Sequence, residues 1–246
     1  YMRDFYAEKA NYEEKAFVFG GGKDPVSVWE TVNVLLRNDI KVYQLAKKET
    51  LDNKTFDQSN SFVVPMNQPR HRLVKSLFEK RTTFADSAFY DVSAWTLPIC
   101  MNVPYSASKS VISLGERVKT NDFPKGEVKG ESEYSYLFEW NSYFAPRAAQ
   151  ELMKNGYRLK FAMEPFTTMQ EGKEKLFTYG TVQILCEEKN PKELLKMLAK
   201  RDAVTFYAQK TGLTMSGINM GSEKFKPMEA IKPLMITGDG VDANDA

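Results

Sequence analysis

The chain has 246 residues, 42% of them hydrophobic, which suits one large domain or two small ones and excludes disorder as the default state. Thirty-four basic side chains against thirty-two acidic ones leave a net charge of +2 with the signs interspersed, so no field gathers nucleic acid or an anionic membrane. No run reaches the ~18 to 20 apolar residues that span a bilayer, and two cysteines far apart supply neither a disulfide framework nor a redox pair.

The chain begins at Tyr1 without a methionine, and residues 1–15 read as a lead-in from a preceding domain. A first α/β unit is expected over 16–116. Phe17-Val18-Phe19 is a short apolar strand, and Val28, Trp29, Val32, Leu35 and Leu36 then fall on one helical face. Between them lies Gly20-Gly21-Gly22-Lys23-Asp24-Pro25, where a phosphate-binding loop would sit. It lacks the Walker spacing, and Asp24 as cap with Pro25 in the first turn explains it as helix initiation. Ile40, Val42, Tyr43 and Leu45 make a second strand, and after a polar excursion Phe62-Val63-Val64 makes a third.

Pro69 opens the next helix, carrying Leu73, Val74, Leu77 and Phe78. Arg70, His71 and Arg72 at its start are the candidate ligand or carboxylate-binding residues: two guanidiniums suit a carboxylate such as a peptide C-terminus. The plain alternative is an exposed helix-start cluster with Arg70 on the face of Val74 and Leu77. Catalysis through His71, the single histidine, lacks any Gly-x-Ser-x-Gly elbow. An aromatic-rich extension follows over 81–105. Phe84, Phe89, Tyr90 and Trp95 need a surface to cover, either their own unit's sheet or a seam against an upstream domain. Cys100 and Cys186 read as buried small hydrophobes; Cys100 lacks the strand-to-helix elbow of a nucleophile.

Residues 117–134, with four charges of each sign between 117 and 133, read as a linker. The order then recurs in a second unit over 135–210. Tyr136-Leu137-Phe138 is a strand, 146–154 a helix, and Tyr157, Leu159, Phe161 and Met163 alternate as a strand. Val182-Gln183-Ile184-Leu185 follows, then a helix opened by Pro191 with Leu194, Leu195, Met197 and Leu198. Equivalent residues lie about 117 to 122 positions apart. The fold class expected is α/β: two tandem repeated β-α-β-β-α units with mainly parallel sheets, helices on the faces and the small hairpins at an edge. Residues 211–246 read as the start of a further, truncated element, since the apolar strand 233–240 ends in Gly238-Asp239-Gly240 with six residues after it.

Three stretches carry a family resemblance: Phe62-Val63-Val64-Pro65-Met66-Asn67-Gln68-Pro69, Leu73 through Phe84, and Phe89-Tyr90-Asp91-Val92-Ser93-Ala94-Trp95-Thr96-Leu97-Pro98. The chain resembles the region downstream of the catalytic domain in bacterial carboxypeptidase A-type zinc peptidases. Ser216-Gly217-Ile218-Asn219-Met220-Gly221-Ser222 and the strand into Gly238-Asp239-Gly240 are similar to that family's run toward a class I glutamine amidotransferase-like region. The resemblance implies a non-catalytic accessory region that supports or gates an upstream peptidase-like domain of the same polypeptide, secreted or periplasmic, with peptide a candidate partner and no nucleic acid or membrane span. Zinc belongs to the parent's catalytic domain. This chain has one histidine where a His-x-x-Glu pair and a further His would be needed, so no catalytic or metal residue carries over. The other expectation is an independent ligand-binding or amidotransferase-like module with a site between the two units.

Overall fold

The computed structural model describes residues 12–80, 96–187 and 189–230. The chain divides into two compact units, Tyr1–Pro124 with Asn141–Tyr143, and Lys125–Trp140 with Phe144–Ala246. In the first unit, β1 (Ala16–Gly20) leads into α1 (Pro25–Arg37), then β2 (Tyr43–Leu45), the hairpin β3 (Glu49–Leu51) and β4 (Lys54–Phe56), β5 (Ser61–Pro65), α2 (His71–Phe78), α3 (Leu97–Cys100), β6 (Tyr105–Ser108) and β7 (Leu114–Arg117). In the second, β8 (Val128–Lys129) precedes β9 (Ser135–Phe138), α4 (Ala145–Lys154), β10 (Leu159–Ala162), the hairpin β11 (Phe166–Gln170) and β12 (Lys173–Phe177), β13 (Val182–Leu185), α5 (Lys192–Asp202), β14 (Phe206–Gln209), β15 (Ser216–Gly217) and β16 (Phe225–Met228).

Both main sheets have one strand order. The first reads β6-β1-β5-β2-β7, and the second reads β14-β9-β13-β10-β16 with β8 added beside β14. Their registers agree residue by residue. Phe17 faces Val64 as Tyr136 faces Ile184; Tyr43 faces Val63 as Lys160 faces Gln183; Ala16 faces Ser108 as Ser135 faces Gln209.

The expectation of mainly parallel sheets is overturned. Every pair of neighbours in these sheets is antiparallel except β8–β14. The helical crossover does send β2 the same way as β1, but the two are not neighbours. After the hairpin the chain returns between them as β5, antiparallel to both. This is the split β-α-β connectivity of ferredoxin-like folds, built twice. Such connectivity carries no function by itself.

Among the described residues, helices do not lie on both faces of either sheet, and the hairpins are not at an edge. Phe17 and Phe19 join Val28, Val32, Leu35, Val74 and Phe78 in a core under the helices, while Val18 joins Leu45, Val63 and Phe56 under the hairpin β3–β4. The second unit repeats the division: Tyr136, Phe138 and Ile184 pack on α4 and α5, and Leu137 packs with Phe166, Phe177 and Phe225 under β11–β12. Side chains alternate along a strand, so a strand apolar at every position, such as β1, signals a sheet covered on both faces. Here the second cover is a hairpin rather than a helix.

Residues 117–134 are mostly exposed but anchored at several points. Val118 is buried, Asn121 exchanges hydrogen bonds with the Trp29 indole and main chain (2.8 and 2.9 Å), and Phe123 meets the Trp29 ring edge-on at 5.0 Å. Farther on, β8 pairs with β14 and Ser132 is buried. Beyond 210, β15 pairs with β11 and β16 with β10, so the described part of the tail completes the second unit's sheets.

Candidate functional site

The residues singled out from sequence do not converge. Arg70 Nη2 pairs with Asp39 at 3.0 Å, both side chains exposed. His71 is fully buried, with its ring 5.5 Å from Tyr12, whose own ring lies under the Lys75 ammonium at 4.8 Å. The exposed helix-start reading therefore fails for His71. The buried face of α2 is His71, Val74 and Phe78, spaced i, i+3 and i+7, so the helix is rotated by one residue from the expected frame. Arg72 is exposed. Phe84, Phe89, Tyr90 and Trp95 lie outside the described residues.

The glycine loop serves packing. Gly20 at φ +129° lies against the turn before β5, where a Cβ would meet Asn60 O at 2.3 Å. Asp24 caps α1, accepting from Val26 N at 3.0 Å and Ser27 Oγ at 2.8 Å. Cys100 is exposed at the end of α3, against the expectation of burial. Cys186 is half-buried beside the helix-side core, and burial pushes its thiol up to about 11. Among the described residues no three His, Cys, Asp or Glu side chains are grouped to hold a metal ion, and no helix is long and apolar enough to cross a membrane.

The feature that stands out lies in the second unit. A groove of about 600 Å³ is bounded by Thr168–Glu171 at the end of β11, by Ala208–Thr211 at the end of β14, by Lys129–Glu131 after β8, and by Leu213 and Met215. Its shape follows from strand pairing. β15 pairs with β11 at Phe166 and Thr167, Met215 N makes a last bond to Thr167 O at 2.7 Å, and then the two chains part. Residues 211–214 bond within their own loop instead: Leu213 N to Thr211 Oγ1 at 3.0 Å, Thr214 N to Asn219 Oδ1 at 2.9 Å, and Gly212 O from Met220 N at 2.9 Å. Gly217, at φ +80° and with Pro165 O only 2.4 Å from where a Cβ would be, allows the close approach at the apex of the wedge.

The floor is polar. Alternation along β14 puts Phe206 under the helices, and Tyr207 and Gln209 on the hairpin side. The Gln209 main chain is fixed because Ser132 Oγ donates to its carbonyl while accepting from Tyr134 N at 2.9 Å. Its side-chain Nε2 is buried and makes no hydrogen bond among the described residues. Thr168, also buried, has Oγ1 accepting from Gln170 Nε2 at 2.9 Å.

The walls are held by charge and aromatic packing. Lys129 Nζ reaches Glu171 at 3.5 Å and Glu127 at 3.8 Å across one end. Next to the groove, Lys175 Nζ pairs with Glu139 at 2.8 Å and lies 4.9 and 4.8 Å from the Phe177 and Tyr207 ring centres, pinning β12 over β14. Burial pulls the Lys175 ammonium down, but the Glu139 carboxylate, with help from Tyr207, more than offsets it and leaves it raised. The rim is apolar, with Met169, Leu213 and Met215 exposed.

In the first unit the corresponding hairpin is tied to β6: Ser106 Oγ donates to Leu51 O at 3.4 Å and Lys54 Nζ to Tyr105 O at 2.9 Å. The sequence signal for the groove was therefore a difference between copies. Gln209 stands where the first copy has Ser108, and Gln183 where it has Val63. No family model matches the chain, and neither a curated protein nor a solved structure shows significant similarity to it.

Proposed function

We propose that this chain is a non-catalytic binding region, accessory to a zinc carboxypeptidase-like parent, and that the groove of the second unit is where it holds its ligand. The observation that carries the reading is the groove itself: a polar floor that includes Gln209, whose buried Nε2 has no acceptor among the described residues, under an apolar rim of Met169, Leu213 and Met215. Its volume falls in the usual range for ligand sites of roughly 300–1,000 Å³. The accessory role rests on the resemblance of residues 62–98 and 216–222 to the region downstream of such peptidases.

Amide chemical shifts of the ¹⁵N-labelled chain, recorded with sodium octanoate and with short capped peptides, test the binding reading. At least one ligand class should move resonances of Thr168–Glu171 and Ala208–Met215, and the double variant Leu213→Glu/Met215→Glu should abolish the response while leaving the spectrum folded. Shifts that map outside the groove for every ligand refute it. In the peptidase-like parent the same double variant should raise KM and spare kcat; a fall in kcat at unchanged KM would overturn the non-catalytic assignment.

A further inference from the structure

We propose that the occupant of this groove is an extended peptide, which adds a strand along β11 beyond Thr167 and presents a main-chain carbonyl to Gln209 Nε2. This deepens the reading of the groove as a binding site and rests on it. Three observations select a peptide over another amphipathic ligand.

The first is the strand edge. β11 runs to Gln170, yet β15 pairs only with Phe166 and Thr167. On its other side β12 pairs with all of β11, so among the described residues Thr168 through Gln170 present one open edge toward the groove. The segment that would have continued β15 spends its donors inside its own loop, at Thr211 and Asn219. An open edge is a template for another strand, and only a peptide backbone offers donors and acceptors at the matching repeat.

The second is the donor. Gln209 Nε2 is buried without an acceptor among the described residues, and a buried polar group without a partner is rare in native proteins. Gln209 lines the groove, and a turn of its side chain toward the opening would bring Nε2 to a carbonyl oxygen of the bound strand. Two lysines line the groove, Lys129, which is engaged by Glu171 and Glu127, and Lys210, which is exposed, so a carboxylate ligand is the competitor that the octanoate arm below tests.

The third is spacing. Thr168 to Gln170 spans about 7 to 10 Å at a rise of ~3.4 Å per residue, which accommodates about three residues of ligand. Side chains on one face of that strand meet Met169, Leu213 and Met215, so alternate ligand residues are apolar.

The test titrates the ¹⁵N-labelled full chain with a capped hexapeptide alternating leucine and threonine. A second arm uses the same peptide N-methylated at every other residue, and a third uses sodium octanoate. The capped peptide should shift the amides of Thr168–Glu171 and the side-chain NH₂ of Gln209, and N-methylation should weaken binding at least tenfold. Gln209→Met keeps the side-chain length and removes the donor; it should weaken the peptide about fivefold, the worth of one neutral hydrogen bond, and leave octanoate binding unchanged. If octanoate binds in the groove and the peptide does not, or if the methylated peptide binds equally well, the peptide inference is overturned while the binding site stands. If neither moves groove resonances, both readings fall. If the unliganded chain self-associates with the same shifts on concentration, the occupant is a second copy and the inference is overturned.

Discussion

Gln183→Met should stabilise the second unit. Gln183 lies mid-strand in β13 between Leu137 and Lys160, is 1% exposed, and has neither Nε2 nor Oε1 hydrogen-bonded among the described residues. Its equivalent in the first unit is Val63, fully buried between Val18 and Tyr43. Leaving a buried amide unpaired costs about 1–3 kcal/mol. Methionine matches glutamine in length and adapts to irregular space, although a core swap of this kind can lose up to ~1.5 kcal/mol in packing. The expected net gain is about 1–2 kcal/mol, or a factor of roughly 5–30 in the folded ratio. Native-state hydrogen exchange reads this unit by unit. The slowest amides of β9 and β13 should slow by that factor, and those of β1 and β5 should not change. The mirror substitution, Val63→Gln, should cost the first unit at least ~2 kcal/mol. Faster exchange in β9 and β13 of Gln183→Met would show that the amide is satisfied in solution and would refute the reasoning.

Cys100, being exposed, should react with iodoacetamide at pH 8, while the Cys186 thiol, held protonated by burial, should resist; peptide mass mapping reads both. Because the folded pKa of Cys186 is raised to about 11 from an ordinary value of 9.0, its stabilising contribution is complete below pH 9 and is lost as pH rises from 9 to about 11; Cys186→Ser should flatten that part of the stability curve. Gly217→Ala puts a methyl into Pro165 O at a positive φ, so it should cost about 1–3 kcal/mol and abolish peptide binding as β15 leaves β11, which exchange at Phe166 and Thr167 would report. Asp202 is fully buried and accepts from Arg201 Nε at 2.9 Å and Nη2 at 2.8 Å, with Arg147 also paired to it. Its partners remain reachable by water, so Asp202→Ala should destabilise the second unit by about 1.5–3 kcal/mol, the range for charge-assisted hydrogen bonds, seen as a lower urea midpoint.

The duplication was legible because apolar periodicity survives in both copies: Phe17, Val18 and Phe19 recur as Tyr136, Leu137 and Phe138, and the sheets carry the correspondence to the register. Strand direction was not legible. A helix between two apolar strands fixes their relative direction but does not say whether they touch, and nothing in Phe62-Val63-Val64 announces that it inserts between Phe17-Val18-Phe19 and Tyr43. The clue was the unbroken burial of β1, which a hairpin can supply as well as a second helical layer. His71 was misplaced for a local reason. Pro69 sits two residues before α2 rather than inside it, so the helical frame starts later and brings His71, not Arg70, to the core side.

The candidate site was hidden by the same regularity that revealed the repeat. Matching the two copies rewards agreement, whereas the groove is built from their disagreement. In the first unit Ser106 and Lys54 hold the hairpin to β6, and the core beneath is apolar at Val18, Val63 and Phe56. In the second, glutamines occupy two hairpin-side positions, β15 extends the hairpin into a three-stranded sheet, and that sheet's edge opens at Thr168. A polar side chain in a buried row loses stability unless something satisfies it. Gln183 is not part of the groove's lining and is therefore the position where an apolar replacement should gain stability, whereas Gln209 borders the groove and is the position where a ligand can complete the hydrogen bond. The two amides thus separate by experiment: Gln183→Met should raise stability without touching binding, and Gln209→Met should weaken the peptide whatever it does to stability. If both variants changed only stability, the groove would be a by-product of the inserted strand rather than a site.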